Sequence, residues 1–280
     1  MIKLSKEEKN MIEFQKYHAC GNNFIIIKDQ NYINDDYQQL AIEMCNYNTG
    51  IGADGLIIVK NNPLEMVFYN QDGTRGSMCG NGIRSFAKYV LDNIYPNLNH
   101  LSIITLAGMI EIDVLQKDPI LFRVDMGTPK YDKKTIGLKE EYNLIEKITF
   151  KNKDYDLYNL FMGVTHTVVF VENLNEIIKT SLGEYICYHP MFIDRTNVDF
   201  VEIISKNEIK MKTYERGVGW TLACGTGSCA AFITGLNLNL LNDQIKVYFE
   251  IGEVKLEKQN NNVILYSGAE KICTGQYVKK

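Results

Sequence analysis

Four histidines are all that this 280-residue chain has, and its seven cysteines are odd in number with no Cys-x-x-Cys pair among them. A disulfide framework and a zinc or iron–sulfur site therefore have little to build on. A surplus of basic residues is missing too. The net charge of −4 leaves no field for nucleic acid or an anionic membrane surface. Apolar runs such as Phe24–Ile27 and Leu56–Val59 fall far short of the roughly 20 residues that cross a bilayer. Residues 1–10, MIKLSKEEKN, hold no apolar stretch of the signal-peptide kind and are expected to form a loose polar extension of a cytoplasmic protein. What remains is a composition of 45% hydrophobic and 23% charged residues, that of a globular protein with room for two ordinary domains.

An internal repeat organises those residues. Cys79-Gly80-Asn81-Gly82 recurs as Cys224-Gly225-Thr226-Gly227, and the segments upstream line up at nearly the same offset. Phe68-Tyr69-Asn70 matches Tyr214-Glu215-Arg216, and Ala53–Ile58 matches Asn197–Glu202. A histidine, His18 or His166, stands near the start of each half. Ile83, Phe86, Ala87, Val90, Leu91 and Ile94 have the spacing of one helical face, as do Cys229, Phe232, Ile233, Leu236 and Leu240. Each half is thus expected to be α/β, with β-rich segments leading to a glycine-flanked cysteine that opens a helix.

That position suits a reactive thiol. The first N–H groups of a helix lack intrahelical partners, and the dipole adds positive potential, so the pKa of each thiol is expected to fall toward neutrality. The same N–H groups, uncrowded at glycine, can hold a carboxylate. Two thiols, one on each side of an α-carbon, could remove its proton from one face and return one to the other. A reversible thiol–disulfide pair and a non-catalytic amino-acid-binding protein are the alternatives from other classes. Cys45, Cys187, Cys229 and Cys273 read as small buried hydrophobes. Cys20 has no repeat partner.

In these residues the chain resembles the diaminopimelate epimerase family. The motifs run in order from Tyr17-His18-Ala19-Cys20-Gly21-Asn22-Asn23-Phe24 through Gly50–Gly55, Asn70-Gln71-Asp72-Gly73, Met78–Arg84, Asp125-Met126-Gly127, Met162–His166, Thr196–Phe200 and Glu215-Arg216-Gly217 to Ala223–Gly227. The resemblance implies two pseudo-symmetric halves, residues 1–128 with 268–280 and residues 129–267. Each would be a mostly antiparallel sheet or barrel wrapped around a central helix, with the active site in the cleft between them. It implies a PLP-free, metal-free epimerase in which Cys79 and Cys224 are the acid/base pair. Asn22, Asn70, Gly80, Asn81, Asn197, Glu215, Arg216, Gly225 and Thr226 would bind substrate, and His166 and Glu215 would tune the thiols. A homodimer acting on LL-diaminopimelate, a precursor of lysine and peptidoglycan, is the family expectation.

The departures bear on the substrate rather than the reaction. Val164 and Thr165 stand where the family usually has Asn-Pro, Gly55 where it often has glutamine, and Trp220 where a charged residue is common. Lanthionine and histidine are the substrates that compete with diaminopimelate on this reading, and Trp220 or Val164 beside the pocket would suit histidine.

Overall fold

The computed structural model describes residues 11–29 and 36–279, so the polar extension at 1–10 lies outside the described residues. Its contacts divide the chain into two units, Met1–Phe122 with Gly268–Lys280, and Arg123–Ser267. In the first unit Met11–Ala19 lies between Glu270–Val278 and Asn22–Lys28, antiparallel to both. Asn22–Lys28 runs parallel to Gly55–Asn61, which pairs antiparallel with Leu64–Asn70. The chain then passes through the short strand Arg75–Gly76 and the helix Gly80–Asn93. His100–Thr105 joins Leu64–Asn70 in parallel and turns back into Gly108–Lys117.

The second unit repeats this order with the same orientations. Lys153–Met162 lies antiparallel between Ile145–Phe150 and Val164–Phe170. Val164–Phe170 runs parallel to Asn197–Ser205, which pairs antiparallel with Glu208–Glu215. After Gly219–Thr221 and the helix Gly225–Asn237, Gln244–Tyr248 joins in parallel and Glu253–Gln259 returns. The expected two pseudo-symmetric α/β halves are therefore present. Among the described residues, however, neither ladder returns to its first strand, so the halves are open sheets rather than barrels.

Physical chemistry explains the continuous apolar runs at the middle of each half. A pair of parallel strands buried on both faces loses the alternation of a half-exposed strand. In the first unit Ile25, Ile27, Leu56 and Ile58 pack with Leu40, Ala41 and Met44 of the helix Tyr37–Cys45. Side chains alternate along a strand, so Ile57 points to the other face, toward the helix that follows Cys79. A Cβ on Gly82 of that helix would lie 3.5 Å from Ile57 Cδ1. In the second unit Val169, Val198 and Phe200 pack under the short helices Leu174–Ile177 and Leu182–Cys187. Asp199 consequently points the other way, toward the helix that follows Cys224.

The two helices fall where their periodicity places them. Ile83, Phe86, Ala87, Val90 and Leu91 are buried on the first, and Cys229, Phe232 and Ile233 on the second. The second helix ends at Asn237, which leaves Leu240 beyond it and exposed. Among the described residues no helix is long and apolar enough to cross a membrane.

Candidate active site

Each cysteine is the N-cap of its helix, in extended backbone at φ −136° and ψ 121° for Cys79 and φ −123° and ψ 111° for Cys224. The sulfur does what a serine hydroxyl does at such a cap. Sγ accepts the N–H of the third helical residue, Gly82 or Gly227, at 3.4 Å in both cases. The two N–H groups before it, at Gly80 and Asn81 or at Gly225 and Thr226, have no carbonyl within their own helix to bond. A thiol therefore sits beside a pair of donors aimed out of the helix start, an anion-binding arrangement.

Beside Cys79 lie two amides. Its Sγ lies 3.8 Å from Asn22 Oδ1, and Asn81 Nδ2 donates to the same oxygen at 3.2 Å. Asn22 Nδ2 donates to Asp54 Oδ2 at 2.8 Å. Beneath them Arg84, wholly buried, donates to Asn81 Oδ1 at 2.7 Å and to the Gly80 carbonyl at 2.9 Å. Cys79, Asn22, Gly80 and Asn81 are thus brought together by one network. Asn70 is not part of it; its Nδ2 donates to Thr74 Oγ1 at 2.9 Å in an exposed turn.

Around Cys224 the neighbours are a hydroxyl, an imidazole and two carboxyl groups. The thiol is 7% exposed, and its Sγ lies 3.5 Å from Thr226 Oγ1. That hydroxyl is 3.0 Å from His166 Nε2, and His166 Nδ1 is 2.7 Å from Asp199 Oδ2. Thr213 Oγ1 donates to the other Asp199 oxygen at 2.8 Å. Glu215 lies against the thiol as well and accepts from Thr221 Oγ1 at 2.9 Å. Burial, then Glu215 and Asp199, push the Cys224 thiol well above the ordinary range. This reverses the expectation of a lowered pKa at this helix start. A dipole worth about half a charge is outweighed by desolvation and two carboxylates. Burial also raises the Glu215 carboxyl.

Asn197 and Arg216 are neighbours, Asn197 Oδ1 accepting the backbone N–H of Arg216 at 3.0 Å. The guanidinium of Arg216 holds the Asp194 carboxylate at 3.1 Å and the Asp194 carbonyl at 3.0 Å. Trp220 packs edge-on against Tyr214 and tilted against Phe200, with centroids 5.4 and 5.6 Å apart, in the cluster beneath the short helices. It is partly buried there, packed against the core cluster.

Strand pairing also corrects the internal alignment. One row across the first sheet reads Phe24, Gly55, Asn70, and the matching row of the second begins His166, Asn197 and continues to Glu215. The counterpart of His166 is therefore Phe24, not His18, and Asp199 answers to Ile57. Glycine geometry agrees. A Cβ on Gly82 would approach Ile57, and one on Gly227 would lie 2.2 Å from Asp199 Oδ1. His18 is half-exposed, 3.8 Å from Glu270. Sequence reasoning passed over Asp54, Asp194 and Asp199. For Asp199 a signal existed, an acid between Val198 and Phe200 in a strand otherwise apolar.

The diaminopimelate epimerase family model matches residues 14–131 and 158–273. The chain belongs to the diaminopimelate epimerase family. A diaminopimelate epimerase of Halothermothrix orenii is 38% identical over 95% of this chain and 98% of its own length. One from Clostridium perfringens is 36% identical over 95% of this chain and 100% of its own. Among solved structures, a hydroxyproline epimerase from Agrobacterium vitis with bound trans-4-hydroxy-L-proline superposes with a TM-score of 0.71. It is 12% identical and covers 97% of this chain and 92% of that one, a likeness of fold alone.

Proposed function

We propose that the protein is an isomerase that inverts an α-carbon of diaminopimelate, with Cys79 and Cys224 as its two acid/base groups and no cofactor. The observation that carries this reading is the pair of matched helix starts, each with a cysteine N-cap. The substrate is supported by relatives named diaminopimelate epimerase that match nearly the full chain.

In this reading the α-carboxylate takes the N–H groups of Gly80 and Asn81, and of Gly225 and Thr226. One thiol faces each side of the α-carbon. One enters as thiolate and removes the α-proton, the other enters as thiol and delivers a proton to the opposite face, and the roles exchange in reverse. Asn22 and Asn197 orient polar groups of the substrate, with Asn70 and Glu215 at the strand ends nearby. Arg216 takes the distal carboxylate as a bidentate partner once it leaves Asp194. Val164 offers no hydrogen bond to the distal ammonium or carboxylate. Dimer formation, expected from the resemblance, belongs to the same proposal.

The test is a panel of diaminopimelate, lanthionine, histidine, lysine and glutamate in deuterated buffer, read by NMR for loss of the α-proton. Diaminopimelate is expected to exchange and interconvert fastest. Exchange of histidine alone would overturn the substrate, and exchange of none would overturn the reaction.

A further inference from the structure

Cys224 presents a difficulty. Two-base inversion needs each sulfur as a thiolate at some stage, yet Cys224 is enclosed with the carboxylates of Glu215 and Asp199 as neighbours. Ionising it by releasing a proton to water would add a negative charge to a desolvated cluster that already holds two carboxyl groups, a costly change in such a site. Moving the proton to a nearby group inside the cluster adds no net charge.

We propose that Thr226, His166 and Asp199 form a proton relay that ionises Cys224 internally, with Asp199 as its positioning residue. The proposal rests on the epimerase reading and names groups in the same site. With Asp199 as a carboxylate, the hydrogen bonds give the relay its direction. Asp199, as carboxylate, takes Thr213 Oγ1–H on one oxygen and can accept only from His166 Nδ1–H on the other, at 2.7 Å. His166 Nε2 is then the acceptor, and the Thr226 hydroxyl donates to it across 3.0 Å. The Thr226 oxygen can then accept the Cys224 S–H across 3.5 Å, in competition with the Glu215 carboxyl, which also hydrogen-bonds the thiol. His166 and Asp199 are fully buried, so water does not compete.

The step balances without a further reactant. The Cys224 S–H bond breaks and its proton forms a new O–H bond on Thr226, the sulfur keeping the electron pair. The original Thr226 O–H bond breaks and that proton forms an N–H bond on His166 Nε2. Thiol and neutral imidazole become thiolate and imidazolium, next to the Asp199 carboxylate. The backbone N–H of Thr226 stays available for substrate, so one residue serves binding through its main chain and transfer through its hydroxyl. The matched positions in the first unit are Phe24, Ile57 and Asn81, none of which can carry a proton this way. Among the described residues the groups that bear on Cys224 are Glu215 and Asp199, from two strands, and the Thr226 hydroxyl of its own helix, with His166 on a third strand behind that hydroxyl.

Two readouts test the relay. In the first, iodoacetamide labelling of Cys224 is followed on its peptide between pH 6.5 and 10 in the substrate-free enzyme. Thr226→Val should slow labelling at pH 7.5 at least about tenfold and move the profile to higher pH. Asp199→Asn should move it the same way, and Thr226→Ser should restore it. In the second, kcat of Thr226→Val should fall by a comparable factor with KM within about threefold of the parent, and Thr226→Ser should recover most of it. Unchanged labelling and kcat in Thr226→Val, or in Asp199→Asn should the valine variant misfold, would overturn the relay. Labelling needs no substrate, so a parent enzyme inactive on diaminopimelate would sink the functional reading while the labelling still decides the relay.

Discussion

The two cysteine helix starts share a backbone and differ in almost everything that surrounds them. Cap dihedrals agree within about 13° and the cap hydrogen bonds are the same length. Yet Cys79 sits among amides tied down by Arg84, while Cys224 sits among His166, Asp199 and Glu215. Backbone symmetry gives both thiols the same cap geometry; the side chains around them differ. A symmetric reaction at a stereocentre needs the first property and tolerates the second.

The comparison can be broken first at the sulfurs. Cys79→Ala and Cys224→Ala should each lower kcat by about 10³-fold, within the range for removing an acid/base group, with circular dichroism unchanged. An effect confined to one of them would deny that the halves contribute equally.

Next comes the glycine beneath each cap. Gly227→Ala places a methyl 2.2 Å from the buried Asp199 Oδ1 and should destabilise by about 3 kcal/mol, seen as a lowered Tm. At Gly82 the added Cβ meets Cys79 Cβ at 3.2 Å, Ile57 Cδ1 at 3.5 Å and Cys79 Sγ at 3.7 Å, so Gly82→Ala should cost about 1 kcal/mol or less. Equal losses would mean that Asp199 does not lie where the pairing puts it.

A smaller effect separates Glu215 from its matched residue, the neutral Asn70. Burial raises the Glu215 carboxyl above its ordinary value, so its ionised form weakens the fold above the unfolded pKa, and the handicap vanishes in acid where the group is protonated in both states. Glu215→Gln should therefore raise Tm by a few degrees, on the order of 1 kcal/mol, at pH 7.5 and leave it unchanged near pH 4. Activity should fall in the same variant. A lower Tm at pH 7.5 would show that the carboxylate is paid back by contacts other than Thr221. The smallest change is expected at Asp194, whose exposed ion pair with Arg216 contributes little; Asp194→Asn should alter KM by less than about threefold.

Much of this was legible in the chain itself, for reasons that can be traced. The cysteines announced themselves because each is followed by glycines and a helical stripe, and a repeated tetrapeptide survives divergence when its backbone is what matters. The repeat's register did not survive as well. His18 and His166 looked like partners because both precede β-rich runs, but the parallel pairing of Phe24 with Gly55 and of His166 with Asn197 sets the true match. Asp199 went unassigned because one acid in an apolar strand announces burial without saying what it faces. The direction of the Cys224 shift was hidden for a related reason: the helix start is local, whereas Glu215 and Asp199 arrive from two separate strands. Trp220 likewise shows its packing partners only once the strands are paired.

Inversion by two thiols is tested by the isotope in the first product formed. LL-diaminopimelate is incubated in deuterium oxide and sampled before a tenth of it has reacted. The account predicts that product carries deuterium at the inverted α-carbon while the remaining substrate keeps its protium, because the proton removed by one thiol is not the one returned by the other. Early product that retains protium at that carbon would mean a single group carries the proton across, and would contradict it.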